Sequence, residues 1–94
     1  MGALFDAIRR AAREDRYAFS VHADERLRER RVVAWQVLAG LEHGRLLSER
    51  PSDRPNPSVE VDQWIADGSP VKAVWAHVRA LDLAKLVTVH FYDR

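Results

Sequence analysis

The residues whose types and spacing best suit chemistry are His22, Arg26 and Arg30. They follow one another at four-residue intervals, and this spacing keeps side chains on one stripe of an α-helix. An imidazole titrates near neutral pH, and guanidinium groups bind phosphate through paired hydrogen bonds. The stripe therefore predicts acid–base chemistry on a phosphodiester, with His22 as acid or base and the two arginines as the phosphate clamp.

The same three residues also fit a structural role. A histidine near a helix start can hydrogen-bond to a neighbouring strand, and arginines on a helix can pair with nearby carboxylates. The sequence thus leaves two functions open. One is an enzyme, and the other is a non-catalytic protein-interaction module in which His22 and Arg26 form an internal brace.

A second set of candidates lies on the last two predicted strands. His90 could share proton transfer with His22, and we predict that Lys72, Thr88 and Tyr92 contact the substrate. Alternation along paired strands places these four residues on one face of the sheet, together with Leu86. The opposite face, the predicted core, then carries Val71, Ala73, Trp75, His77, Val87, Val89 and Phe91. We expect a basic groove between the His22 helix and the sheet.

The elements that must position these residues follow from hydrophobic periodicity. Helical spacing is seen over residues 3–13, 21–30 and 34–43, and Ser20 is a good N-cap for the second of these helices. Strands are predicted at 17–19, 45–50, 58–65, 71–78 and 86–92, with loops at 51–57 and 81–85. The pattern predicts one α+β domain, 1–94, with N-terminal helices packed on a twisted antiparallel sheet of four to five strands.

The three tryptophans divide by position. Trp35 and Trp75 occupy predicted core positions, and we expect both to be buried. Trp64 comes just before a turn and is the one expected to be exposed, where it could contact a partner.

Composition narrows the classes of function. There are no cysteines, and the four histidines are far apart, so we expect no disulfide, no metal site and no cofactor. No apolar run is long enough to cross a membrane and no export signal is seen, so we expect a cytoplasmic protein. The net charge is only +1, but 13 of the 15 basic residues are arginine. That bias suits a nucleic-acid partner, and a GC-rich genome produces the same bias.

The sequence resembles the bacterial family of domain of unknown function 4258. The resemblance rests on Tyr17, Ser20, His22, Ala23, Arg26 and Arg30, then on Val37, Leu38, Gly44 and the closing run Leu86–Val89. That family looks like a distant branch of the RelE/BrnT-type toxin fold, and its members often lie beside small zinc-finger antitoxin-like proteins. The resemblance implies a toxin–antitoxin toxin that cleaves RNA without a metal ion. Its expected partners are RNA and a cognate antitoxin of the small zinc-finger or DNA-binding type.

Overall fold

Residues 2–92 form three helices and five strands. A computed structural model describes residues 2–92. The helices are α1 Ala3–Arg13, α2 Val21–Glu29 and α3 Ala34–Glu42. The strands are β1 Tyr17–Phe19, β2 Arg45–Arg50, β3 Ser58–Trp64, β4 Pro70–Val78 and β5 Leu83–Phe91, with a short 3-10 helix at Arg79–Leu81. The predicted α+β class is confirmed, although β5 begins inside the segment that we expected to be a loop.

The strands lie in the order β1-β5-β4-β3-β2. Strands β2 to β5 form the predicted antiparallel meander, but β1 runs parallel to β5, so the sheet is mixed. A hairpin turn forces its two strands to be antiparallel, whereas β1 and β5 are separated by most of the chain. Backbone hydrogen bonds Ala84 N–Arg16 O (3.0 Å) and Ser20 N–Leu86 O (2.9 Å) attach β1 to β5.

The helices cover one face of the sheet and form the core with it. Ala23 and Leu27 of α2 and Val37 and Leu41 of α3 are buried, and Trp75 is fully buried, as predicted for this tryptophan. Trp35 is 63% exposed, so the expectation that it belongs to the core is wrong. It lies two residues before Val37, and two residues on an α-helix rotate the side chain to the opposite side.

One β-bulge changes the predicted sheet faces. The register between β4 and β5 shifts after Val74, where Val74 pairs with Thr88 and Trp75 pairs with Leu86. Val87 is therefore the extra residue, and the bulge reverses the face of the residues that precede it. Leu86 is fully buried and Val87 is 37% exposed, the opposite of the alternation that we expected. On the other side of the bulge, Thr88 and His90 keep their predicted face.

Candidate nucleic-acid interface

The face of the sheet away from the helices carries a row of charged side chains. Arg45 pairs with Asp62, Asp62 with Lys72, and Lys72 with His90, so the row crosses four adjacent strands. Directly opposite residues of antiparallel strands have Cβ atoms about 5 Å apart on the same face. We call these four residues the charged row, and the face on which they lie the open face.

Asp62 is the centre of the charged row. Its two carboxylate oxygens accept hydrogen bonds from the Arg45 guanidinium and from the Tyr92 hydroxyl, both at 2.7 Å. The hydrogen bond from Arg45 is the largest cause that lowers the pKa of Asp62, and the hydrogen bond from Tyr92 is the second. The same bond to Asp62 raises the pKa of Tyr92. At neutral pH this site therefore holds an ionised carboxylate and a neutral phenol.

Tyr92 joins His90 to this cluster. The rings of His90 and Tyr92 pack edge to face with centroids 5.8 Å apart. Tyr92 follows β5 while its hydroxyl reaches Asp62 on β3, so its side chain crosses β4. Lys72 lies on β4 between these partners. The His90 imidazole, the Tyr92 phenol and the Lys72 ammonium are thus held close together on the sheet.

A second row lies parallel to the charged row. It consists of Ser48, Glu60, Val74 and Thr88, which are paired in that order. Glu60 accepts a 2.6 Å hydrogen bond from Arg50 and a 3.4 Å bond from Ser48. The strand residues of the open face include four cations, Arg45, Arg50, Lys72 and Lys85, and two carboxylates, Glu60 and Asp62. These strand residues therefore carry a net positive charge, which suits the binding of phosphate.

The predicted His22 stripe lies elsewhere, on α2. Ser20 Oγ donates to Val87 O at 2.6 Å, and the Arg30 guanidinium lies 4.5 Å from the centre of the Phe91 ring. Helix α2 therefore runs beside β5 in the same direction. The burial of Ala23 and Leu27 in the core places this helix on the covered side of the sheet.

The two sets of predicted residues are not joined. His22 is exposed, and Arg26 faces Glu29 across 3.9 Å. Within residues 2–92, no hydrogen bond or ion pair connects His22 or Arg26 to the open face. The structure thus brings together Lys72, Thr88, His90 and Tyr92 of the predicted site. It holds His22 and Arg26 on α2, and Arg30 is the C-cap residue that follows this helix.

Ser20 makes the bond to the neighbouring strand that the structural alternative assigns to His22. Its hydroxyl accepts from the backbone N–H of Ala23 at 3.0 Å, which confirms the predicted N-cap, and it donates to Val87 O of β5. One side chain therefore fastens the start of α2 to the sheet. His22 has no hydrogen-bond or ion-pair partner within the part of the chain that is described, so the brace of this junction is Ser20.

Sequence reasoning missed Arg45 and Asp62 as site residues. The signal was present in the register of the predicted meander, because alternation puts Asp62 on the polar face of β3, opposite Lys72. Pairing of opposite charges across strands is a common source of sheet stability. The missing step was to extend the face analysis from the last hairpin to β3 and β2.

Two further properties of the described chain concern ligands and membranes. Among residues 2–92, no group of three or more histidine, aspartate or glutamate side chains is arranged to hold a metal ion. None of the helices in that range combines the length and the hydropathy that a membrane span requires.

Comparison with known protein families gives a match. The model of the family described as domain of unknown function (DUF4258) matches residues 19–91, a range that includes both α2 and the charged row. No curated protein and no solved structure gives a significant match.

Proposed function

The chain belongs to the DUF4258 family, and we propose that it is an RNA-binding toxin of the RelE/BrnT type that cleaves single-stranded RNA on its open face. The observation that carries the proposal is the charged row, with Tyr92 bound to Asp62 and packed on His90. This arrangement provides cations for phosphate, a base for proton transfer and ring surfaces for nucleobases, all on one rigid support.

RNA is the ligand that this combination of groups fits best. Lys72 and the arginines of the open face bind phosphate oxygens, which supplies affinity for any sequence. The exposed rings of His90 and Tyr92 offer surfaces on which unpaired bases stack. Double-stranded RNA hides its bases and presents mainly its shape, so a sheet face with exposed rings favours a single strand.

Cleavage on this face proceeds through the ribose 2′-hydroxyl. His90 accepts the 2′-hydroxyl proton as the 2′-oxygen attacks the neighbouring phosphorus. The bond from phosphorus to the 5′-oxygen breaks, and that oxygen takes a proton from the Lys72 ammonium. Solvent then carries the proton held by His90 back to Lys72. The products are a 2′,3′-cyclic phosphate and a 5′-hydroxyl, and the scheme requires no metal ion.

The remaining groups of the site have supporting roles in this scheme. Thr88 lies two residues from His90 on the same face of β5 and donates its hydroxyl to a phosphate oxygen. Asp62 is a positioning residue, because it holds the Tyr92 phenol over β4 and orients the Arg45 guanidinium. His22, Arg26 and Arg30 take no part in this scheme, because α2 and its C-cap lie on the covered side of the sheet.

The cellular setting forms part of the same proposal. A protein that cleaves RNA in the cytoplasm needs a partner that keeps it inactive. We propose that this partner is a cognate antitoxin, of the small zinc-finger or DNA-binding type, that covers the open face.

The direct test is to mix the purified chain with single-stranded RNA in the presence of a chelator. We expect cleavage that leaves 2′,3′-cyclic phosphate and 5′-hydroxyl ends, and expression of the chain should arrest growth. RNA that is neither bound nor cut at low salt contradicts the proposal.

A second function is favoured by one observation. Arg45 and Arg50 already pair with Asp62 and Glu60 at 2.7 and 2.6 Å, which leaves Lys72 as the main cation of the two rows to neutralise a transition state. An open face built this way also suits a non-catalytic interaction module. In that case RNA or protein binds to the face and stays intact, and the His90→Ala variant binds as tightly as the wild type.

A further inference from the structure

A cleft of about 160 Å³ lies on the open face beneath the loop that follows β2. Its floor is apolar and consists of Val74, Ala76 and Val87. Its rim is polar and includes Asp53, Arg54, Asn56 and Lys85. An apolar floor with a few polar groups at the rim is the usual composition of a small-molecule site.

The loop is fixed over the sheet. Ser58 and Ala76 belong to the open face, yet each is only 4% exposed because the loop covers them. Ser58 Oγ donates to the Asp53 carboxylate at 2.5 Å, and His77 N donates to Pro57 O at 2.9 Å. The position of the Asp53 carboxylate is therefore set before any ligand arrives.

The polar groups of the cleft match one nucleobase. A carboxylate only accepts hydrogen bonds, and Asp53 has lone pairs left after it accepts from Ser58. Lys85 and Arg54 only donate. Guanine presents donors at its N1 and N2 atoms and acceptors at O6 and N7, and lysine and arginine are the usual partners of that acceptor pair. Adenine, cytosine and uracil lack a pair of adjacent donors for the carboxylate.

The cleft also lies close enough to the charged row for one nucleoside to reach both. Val74 lines the cleft and lies two residues along β4 from Lys72, a rise of about 7 Å. Thr88, which pairs with Val74, lies equally far from His90. A nucleoside whose base fills the cleft therefore places its own 2′-hydroxyl and 3′-phosphate at Lys72 and His90.

We infer that the cleft is a guanine-binding subsite and that the protein cuts RNA on the 3′ side of guanosine. The inference rests on the proposed RNA cleavage at His90. It adds the base at which cleavage occurs and names Asp53 as the residue that determines specificity. The cleavage step itself is unchanged, and the guanosine becomes the nucleoside whose 2′-oxygen attacks.

The first experiment uses RNA oligonucleotides that differ at a single base in an otherwise uniform sequence. Cleavage after guanosine should exceed cleavage after the other bases by about 10- to 100-fold, the discrimination typical of a well-placed pair of hydrogen bonds. Asp53→Asn introduces an amide N–H₂ against the guanine donors and should abolish the preference. The matched control is Asp67→Asn, because Asp67 lies in the exposed turn after β3, where its oxygen accepts from Ser69 N. That variant should keep the wild-type preference.

The outcomes separate the inference from the function on which it rests. Cleavage without base preference, or a preference that survives Asp53→Asn, overturns the guanine subsite and leaves RNA cleavage standing. If no RNA is cut, titration with guanosine 3′-monophosphate tests the cleft alone. Amide shifts at Asp53, Asn56 and Lys85 support the subsite, and their absence overturns it. Tighter binding of free guanine nucleotide than of guanosine in RNA assigns the cleft to a nucleotide and overturns the RNA assignment.

Discussion

The open face and helix α2 carry similar side chains, but they hold them differently. On α2, His22 is exposed and the nearest charged partner of Arg26 is 3.9 Å away on Glu29. On the open face, Asp62 binds two neighbours at 2.7 Å, and one of them packs on His90. Sequence spacing can align groups on either element. A set of fixed neighbours from several strands is what gives a site its preorganisation.

The comparison also changes the interpretation of the Ser20-x-His22-Ala23 motif. Ser20 caps α2 and bonds to Val87 of β5, and Ala23 is fully buried. Two of the three motif residues therefore hold α2 and β1 on the sheet. The motif marks a structural junction on the covered side, while the chemistry that we propose is on the open side.

The largest expected effect is a difference in RNA cleavage rate between His90→Ala and His22→Ala. We expect His90→Ala to lower the rate of RNA cleavage by about 10²- to 10⁴-fold, the usual contribution of a general acid or base. We expect His22→Ala, the matched control, to change the rate by less than about threefold, since His22 has no partner on the open face. Single-turnover cleavage of one oligonucleotide measures both. Equal losses in the two variants contradict the assignment of the base to the sheet.

The next largest effect is a loss of stability when Ser20, on the covered side of the sheet, is replaced. Ser20→Ala removes a helix N-cap and the bond to Val87 O, so we expect a loss of about 1–2 kcal/mol of unfolding free energy. Ser48→Ala removes only a 3.4 Å contact with Glu60 and should cost less than about 0.5 kcal/mol. Urea unfolding measures both values. A similar loss in the two variants means that Ser20 is not the brace of the α2 junction.

A smaller effect appears in the pH dependence of stability. The folded state lowers the pKa of Asp62, so the contribution of this group is present above its unfolded pKa of about 3.9 and is lost as pH falls through the folded value. The folded state raises the pKa of Tyr92, so its contribution is present below about pH 10 and is lost at higher pH.

Two variants test this linkage by urea unfolding over a pH series. In Tyr92→Phe the loss of unfolding free energy at high pH should disappear. Part of the loss at low pH should remain, because Arg45 still bonds to Asp62. Asp62→Asn should remove both losses. The change at either extreme should be below about 1 kcal/mol, as for other solvent-accessible pairs. If the free energy of unfolding of Asp62→Asn depends on pH as it does in the wild type, the central position of Asp62 is contradicted.

The smallest expected effect concerns the stripe itself. Arg26→Ala removes a 3.9 Å ion pair at i,i+3 spacing, which is worth about 0.2–0.5 kcal/mol. Cleavage of RNA should stay within about threefold of the wild-type rate. A loss of cleavage as large as that expected for His90→Ala would move the phosphate clamp back to α2.

Much of the fold could be predicted from the sequence because local patterns determine it. Helical spacing identified α1, and Ser20 marked the start of α2. The parallel pairing of β1 with β5 was not predicted, because it joins segments far apart in the chain and has no local signature. The bulge at Val87 was missed for a related reason, since a one-residue shift in register depends on the partner strand.

The candidate site was predicted only in part. The face shared by Lys72, Thr88, His90 and Tyr92 followed from alternation, and the structure confirms that these residues lie together. Arg45 on β2 and Asp62 on β3 belong to the same site. They were missed because the face analysis covered only the last two strands. Helical spacing predicted that His22, Arg26 and Arg30 share a stripe, whereas α2 ends at Glu29 and Arg30 is its C-cap. The spacing could not show which side of the sheet the helix would cover.

The most direct test of the account is an NMR titration of the folded chain with a short single-stranded RNA. We predict that the amide shifts cluster at the charged row and its neighbours, in particular at Asp62, Lys72, Thr88 and His90. The amides of α2 from His22 to Glu29 should change little. Shifts concentrated on α2, with the open face unchanged, would contradict the claim that RNA binds on the sheet.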